Sequence, residues 1–175
     1  MSEAPNYQIL LLDASVHDRT NFDCGQAPLN RYLREQASQD TKKKVAGCWV
    51  LVARDRPEHL LGFYTLSSEV VEMEELGDSD PKLAKSLPRY PRLGAVLLGR
   101  LAVAQTAQKQ GLGELLLLDA MHRVLNAQIP TPFIITDPKD KRAEAFYVKF
   151  GFKPLNTKRL FITAKQIEVT LGKDD

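Results

Sequence analysis

The sequence predicts an α/β (α+β) fold: a mixed central sheet with antiparallel amino-terminal strands, a parallel βαβ unit behind them, and helices on both faces. Three observations predict it. Residues 94–104 (GAVLLGRLAVA) form a nearly continuous apolar run, the pattern of a strand buried on both faces. A polar loop, a strongly apolar helix and a second short apolar run at 133–136 follow it, and such a strand–helix–strand unit makes parallel neighbours through a right-handed crossover. Ahead of it, two β-rich segments, 45–54 and 59–67, flank the turn-like Asp55-Arg56-Pro57-Glu58 and read as an antiparallel hairpin.

The remaining elements follow in order. Residues 8–12 make a short first strand, followed by a polar loop through Asp23 and Gly25. Pro28 suits a first helical turn, and Leu29, Tyr32, Leu33 and Ala37 recur at helical spacing opposite Arg31, Arg34, Glu35 and Gln39, until Lys42, Lys43 and Lys44 end the helix. Residues 72–93 are punctuated by Gly77, Pro81, Pro88 and Pro91, which predicts a short helix over 81–87 and then extended chain. After the loop 105–110, Leu112, Leu115, Leu116, Met121, Val124 and Leu125 carry a helix from Gly111 to near Asn126. Residues 140–150 form the next helix, with Ala143, Phe146, Tyr147 and Phe150 on one face, and 159–163 read as a last strand.

Composition bounds the function. A chain of 175 residues, 43% hydrophobic and 26% charged, amounts to one domain, 1–175, able to bury a core unaided. Its net charge of +2 excludes a uniformly basic surface, so any polyanionic partner must meet a local cluster. Two cysteines, Cys24 and Cys48, with three histidines suit neither a disulfide scaffold nor a metal site, and point to a reducing compartment. No apolar run reaches the length of a membrane span, and the start, with its early Glu3, lacks the layout of a signal peptide, so a cytoplasmic protein is expected.

The chemistry concentrates in two places. Gln108, Lys109, Gln110, Gly111, Leu112, Gly113 and Glu114 follow the buried strand and open the apolar helix. Glycines there let the chain turn tightly, leaving first-turn N–H groups and the positive helix end facing outward: a seat for phosphate. Gly-x-Gly at a helix start also serves as a plain strand-to-helix turn. No Gly-Lys-Ser/Thr ending follows, and Leu116 stands where a dinucleotide fold needs a third glycine. The second place is Tyr147, either one more aromatic on the apolar face or a phenol available for proton transfer.

Gln108-x-x-Gly111-x-Gly113 resembles the Gln/Arg-x-x-Gly-x-Gly/Ala signature of the GNAT acyltransferases, and Ala145-Phe146-Tyr147-Val148-Lys149-Phe150-Gly151-Phe152 is similar to the family's later Phe-Tyr block. The resemblance implies acetyl-coenzyme A as cosubstrate. Gln108 to Glu114 would then hold its diphosphate and the backbone of Leu101, Ala102 and Val103 its pantetheine arm. An N–H near Val103 would face the thioester oxygen, and Tyr147 would be the acid that protonates the departing thiolate. No general base stands out among Glu69, Glu72, Glu74, Glu75 and Asp137.

Further blocks, Phe22-Asp23-Cys24-Gly25, Gly62-Phe63-Tyr64-Thr65-Leu66, Leu87-Pro88-Arg89-Tyr90-Pro91 and Leu98-Gly99-Arg100-Leu101-Ala102-Val103, resemble the acetyltransferase toxins of bacterial toxin–antitoxin modules. Those toxins acetylate the α-amino group of aminoacyl-tRNA and stop translation; ribbon-helix-helix antitoxins are their usual partners, and they often form homodimers. Two departures from that pattern are Ala104, where many relatives carry Asp, and the Gln-Lys-Gln before Gly111. For a tRNA acceptor, Lys42, Lys43, Lys44, Arg89 and Arg92 would meet phosphates, and Tyr90 would stack on a base; for each, a solvated surface or a loop anchor is the competing reading. Acetylation of a small amine or protein amino group, and a catalytically idle coenzyme- or partner-binding regulator, are the other two functional classes.

Overall fold

The computed structural model describes residues 6–172; Glu3 and the polar Lys173-Asp174-Asp175 end lie outside the described residues. Its strands form a seven-stranded sheet in the order β1-β2-β3-β4-β5-β7-β6. β4 (Arg92–Val103) and β5 (Phe133–Thr136) are parallel, joined through the predicted helix α5 (Leu112–Leu125). The pairs β1–β2, β2–β3, β5–β7 and β6–β7 are antiparallel, which makes the sheet mixed. By its contacts the chain divides into two compact units: residues through Ser67 with Gly99–Ala120, and Ser68–Leu98 with the chain from Met121 onward.

The first unit holds β1 (Tyr7–Leu11), α1 (Ala27–Glu35), α2 (Ala37–Lys42), β2 (Gly47–Ala53), the first part of β3 (Arg56–Glu72) and the last part of β4. The single helix expected over 28–42 is two, broken at Gln36, whose backbone leaves the helical region at φ −119° and ψ −36°. Periodicity hides the break, because Tyr32, Leu33 and Ala37 stay buried on either side of it. Lys44, at φ 58°, closes α2 in the left-handed conformation common just past a helix end.

The expected four-residue hairpin loop is only Arg54-Asp55, since Ala53 pairs with Arg56. Register shifts around Val52 leave residues 57–59 outside the ladder, so Pro57, which cannot donate a ladder hydrogen bond, sits where none is needed. Phe63 anchors the core, edge-on to Phe22 at 5.6 Å and stacked on Tyr32 at 6.3 Å. Tyr64 stacks on Trp49 at 5.4 Å and donates its hydroxyl to Asp119 Oδ2 at 2.6 Å, which explains an acid amid the apolar middle of α5.

The second unit holds the rest of β3, α3 (Met73–Ser79), α4 (Pro81–Ser86), the first part of β4, β5, α6 (Lys141–Lys149), β6 (Lys153–Pro154), β7 (Leu160–Thr163) and α7 (Ala164–Thr170). Its core gathers Val71, Leu76, Ala95, Phe133, Ile135, Leu155 and Phe161. β3 runs five residues past its expected end, and α3, β6 and α7 fall in segments with no predicted element. β4 is not buried along both faces as its apolar run implied: Gly94 and Gly99 are exposed, and only Ala95, Leu98 and Ala102 are fully buried. Both cysteines are buried and neither is in a disulfide, and among the described residues no helix is long and apolar enough to cross a membrane.

One buried polar group sets a pH dependence. His17 is 4% exposed; its Nδ1 accepts the Asp13 N–H at 2.9 Å, and its Nε2 has no partner. Burial lowers its pKa below the ordinary 6.5, against the pull of Asp13. The unfolded chain therefore binds the proton more readily, so His17's contribution to stability is complete above about pH 6.5 and is lost as pH falls below it, with a slope of at most about 1.4 kcal/mol per pH unit. Urea unfolding at pH 7 and pH 5 should show this loss, and His17→Asn, which keeps an acceptor for Asp13, should flatten it.

Candidate active site

The strand-to-helix loop has the geometry its glycines foretell. Gly111 (φ +76°) starts α5, its carbonyl accepting the Leu115 N–H at 3.1 Å. The N–H groups of Leu112, Gly113 and Glu114 then fall in the first turn, where a helix offers them no acceptor. A Cβ on Gly111 would meet no protein atom within 4 Å, and residues 108–111 are exposed. Lys109 holds φ 65°, a strained choice for a side-chain-bearing residue and the kind of outlier that marks a functional loop. Glu114 suits an anion seat only through its backbone, since its carboxylate adds negative charge to the first turn.

Backbone direction in β4 decides which groups face outward. The Ala104 N–H donates to Leu61 O of β3 at 2.8 Å. Because successive residues of a strand direct their N–H and C=O to opposite edges, Ala102 also faces β3, and Leu101 and Val103 present theirs on the other edge. The Ala102 carbonyl lies 2.8 Å from where a Cβ on Gly62 would stand, in agreement. On that other edge the ladder with β5 ends at Leu98–Thr136, whereas β4 continues to Val103. Leu101 and Val103 thus direct their backbone groups away from β3, whereas Ala102 directs its own toward it.

Gln108 plays a part its motif did not reveal. Its Nε2 donates to Val103 O at 3.0 Å and to Cys24 O at 3.3 Å, so the side chain ties the loop to the end of β4 and to the turn after Phe22. That turn is itself braced. Asp23 Oδ1 accepts from the Gly25 N–H at 2.8 Å and from Asn30 Nδ2 at 2.9 Å, Asn30 Oδ1 accepts from the Cys24 N–H at 2.9 Å, and Asp23 O accepts from the Gln105 N–H at 2.8 Å. The Gly25 N–H, then Asn30, hold the Asp23 carboxyl below its ordinary range. A Gln108→Glu change replaces two donated hydrogen bonds by repulsion between a carboxylate and two carbonyls, about 2 kcal/mol or more. A tenfold or greater rise in KM for the loop's ligand is the expected result, measured by steady-state kinetics at a thermal stability only a few degrees lower.

Tyr147 lies in the second unit, 7% exposed, its ring edge-on to Phe146 and to Phe152, each at 5.3 Å. The core reading of its periodicity is thus correct for the ring. Its hydroxyl neighbours that of Thr136, which donates to Leu98 O at 3.0 Å. Thr136 and Leu98 are the last pair of the β4–β5 ladder, so the phenol reaches the point where that ladder stops. Burial raises its pKa above the ordinary 10, more than the neighbouring Thr136 lowers it, and the group stays protonated at neutral pH.

Four of the five carboxylates considered as bases are engaged. Arg159 bridges Asp137 Oδ1 and Glu69 Oε2, each at 2.8 Å; Glu72 pairs with Arg92 at 3.2 Å; and Glu75 accepts from Asn156. The Val70 N–H, chiefly, holds the Glu69 carboxyl below its ordinary range, with Arg159 adding to it. A carboxylate held as Glu69 is makes a poor proton acceptor at neutral pH.

Lys42, Lys43 and Lys44 are exposed at the end of α2 in the first unit, and Arg89, Tyr90 and Arg92 are exposed in the second. Tyr90 is 61% exposed, so it does not anchor its loop by burial. Sequence reasoning missed Asp23 and Asn30 as braces and Thr136 as the neighbour of Tyr147. It also missed Arg56 and His59, which line a cavity of about 400 Å³ together with Gln110 and Leu112. No local spacing marks any of them.

Comparison with known proteins adds the following. The acetyltransferase (GNAT) family model matches residues 14–152. A protein of Mycobacterium tuberculosis (strain ATCC 25618 / H37Rv) described as a tRNA-acetylating toxin is 31% identical over 163 residues, covering 91% of this chain and 93% of that protein. The structure of AtaT complexed with acetyl-methionyl-tRNAfMet covers 95% of this chain and 99% of its own at 28% identity, with a TM-score of 0.86. An AtaT mutant bound to acetyl-CoA and the C-terminus of the antitoxin AtaR is 26% identical, covers 94% and 97%, and has a TM-score of 0.78.

Proposed function

The chain belongs to the acetyltransferase (GNAT) family, and from that premise we propose that it is a toxin that transfers acetyl from acetyl-CoA to the α-amino group of aminoacyl-tRNA and so blocks translation. The observation that carries the acceptor is the likeness over nearly the whole chain to a tRNA-acetylating toxin and to AtaT in complex with acetyl-methionyl-tRNA. Residues 1–175 act as one acetyltransferase domain in the cytoplasm.

Each residue has a role its own surroundings allow. The first-turn N–H groups of α5, with Gly111 and Gly113, take the coenzyme's diphosphate, and Gln108 holds that loop in place. The backbone of Leu101 and the N–H of Val103, whose carbonyl Gln108 occupies, pair with the pantetheine arm, and one of these N–H groups receives the negative charge that develops on the thioester oxygen. The neutral amine nitrogen bonds to the acetyl carbon, and the carbon–sulfur bond then breaks. Tyr147 gives its phenolic proton to the leaving thiolate, and the proton lost by the amine goes to solvent. No protein base is required, because an α-amine with a pKa near 8 is partly neutral at pH 7. Lys42, Lys43, Lys44, Arg89 and Arg92 meet tRNA phosphates and Tyr90 a terminal base. The partner that restrains the toxin is an antitoxin of the ribbon-helix-helix type, and the enzyme works as a homodimer.

The test is acetyl transfer from labelled acetyl-CoA in parallel to a charged tRNA pool, to polyamines and to protein. Label on the amino acid of charged tRNA is the expected outcome. Strong label on polyamines or protein with none on tRNA would overturn the proposed acceptor, and no transfer at all would leave a coenzyme-binding regulator.

A further inference from the structure

Arg100 is partly buried on β4, its guanidinium carbon 3.5 Å from the centroid of the Tyr32 ring. Tyr32 is fixed beneath it: 7% exposed, stacked on Phe63, its hydroxyl donating to Asp40 Oδ2 at 2.9 Å. Asp40 spends its other oxygen on Gln36 Nε2 at 2.7 Å. Among the described residues, Arg100 makes no hydrogen bond or ion pair, so a guanidinium with one face on a ring keeps its edge donors unused. An apolar side chain would cover Tyr32 without partly desolvating a charge. Arg19 donates to Arg34 O at 3.2 Å, and Arg100 and Arg19 act electrostatically on the buried Cys48 thiol, opposed by Asp40. Two guanidinium charges thus act there against the one Asp40 carboxylate.

We propose that Arg100 is a phosphate-recognition residue for the acceptor, its planar edge taking a phosphodiester near the aminoacylated end of the tRNA. A guanidinium locked in its plane loses little freedom when its fork closes on phosphate oxygens, and that fork is the geometry such oxygens match. The position selects the acceptor over the coenzyme. Three residues of strand, about 10 Å, separate Arg100 from Val103, and the diphosphate loop lies beyond Val103. This assignment rests on the tRNA-acetylating reading above.

The test measures binding of an aminoacylated tRNA pool at several salt concentrations, and of acetyl-CoA by calorimetry, for the wild type, Arg100→Met and Arg100→Lys. Arg100→Met keeps a stem over Tyr32 and removes charge and donors. It should bind tRNA at least tenfold more weakly, with a logarithmic salt slope shallower by about 0.7–0.9, and bind acetyl-CoA unchanged. Arg100→Lys should keep the slope and recover only part of the affinity, and it reads the same point if Arg100→Met fails to fold. Unchanged tRNA affinity and slope in both variants would overturn the proposal, as would a loss confined to acetyl-CoA. A wild type that binds no charged tRNA would overturn the parent reading, a result separable from the other two.

Discussion

Tyr147→Phe is expected to lower kcat for acetyl transfer by about 10²- to 10⁴-fold, the usual contribution of a positioned general acid, while KM for acetyl-CoA stays within about threefold. The ring packs against Phe146 and Phe152, and phenylalanine keeps those contacts. What is lost is the hydroxyl beside Thr136 at the end of the β4–β5 ladder, with little change in stability expected. A folded variant with coenzyme affinity intact and turnover abolished separates the acid from a core aromatic. If the variant retains full activity, thiolate release does not need Tyr147.

The pH profile gives an independent reading of the same assignment. Burial raises the phenol above its ordinary value, so Tyr147 remains an acid throughout the working range and produces no alkaline fall below about pH 10. With Glu69 and Asp137 held by Arg159, the rising limb should follow the acceptor amine, near pH 8 or below, and should move when the amine is changed. A limb that stays fixed for amines of different basicity would point to a base on the protein.

How much of this was legible in the sequence depends on range. The βαβ unit was readable because apolar periodicity and glycine placement act locally; β5 matches its expected bounds, and Asp140, read as the first residue of its helix, is instead the cap of α6, accepting the Ala143 N–H at 2.8 Å. Helix α7 carried a readable signal that went unused: Thr163, three residues before Gln166, has capping-box spacing, and its Oγ1 accepts the Gln166 N–H at 3.1 Å. The hairpin loop was misplaced because Pro57 looks like a turn residue until the bulge that accommodates it is known. The site's supports were beyond local reading altogether. Gln108 reaches Cys24 across 84 positions of chain, and Thr136 takes its place only when β5 lies beside β4. Motif residues are visible because their spacing is local; their braces are chosen by the fold.

Gly111→Ala should raise KM for acetyl-CoA by at least tenfold, with kcat at saturation changed far less. Two effects act together and can be separated. The first is backbone strain: at φ +76° an L-residue costs about 1–2 kcal/mol, which lowers thermal stability whatever lies around it. The second is approach. A methyl group at Gly111 would touch no protein atom within 4 Å, so packing does not explain the glycine, whereas a diphosphate drawn close to the first-turn N–H groups of α5 does. Gly151 supplies the control. It also has positive φ, +104°, but a Cβ there would press on Gln166 and Thr170 at 3.0 Å. Gly151→Ala should therefore lose at least as much thermal stability and leave KM for acetyl-CoA unchanged. Equal KM effects in the two variants would mean that strain alone, transmitted through the fold, accounts for the loss, and the loop would no longer stand as the diphosphate seat.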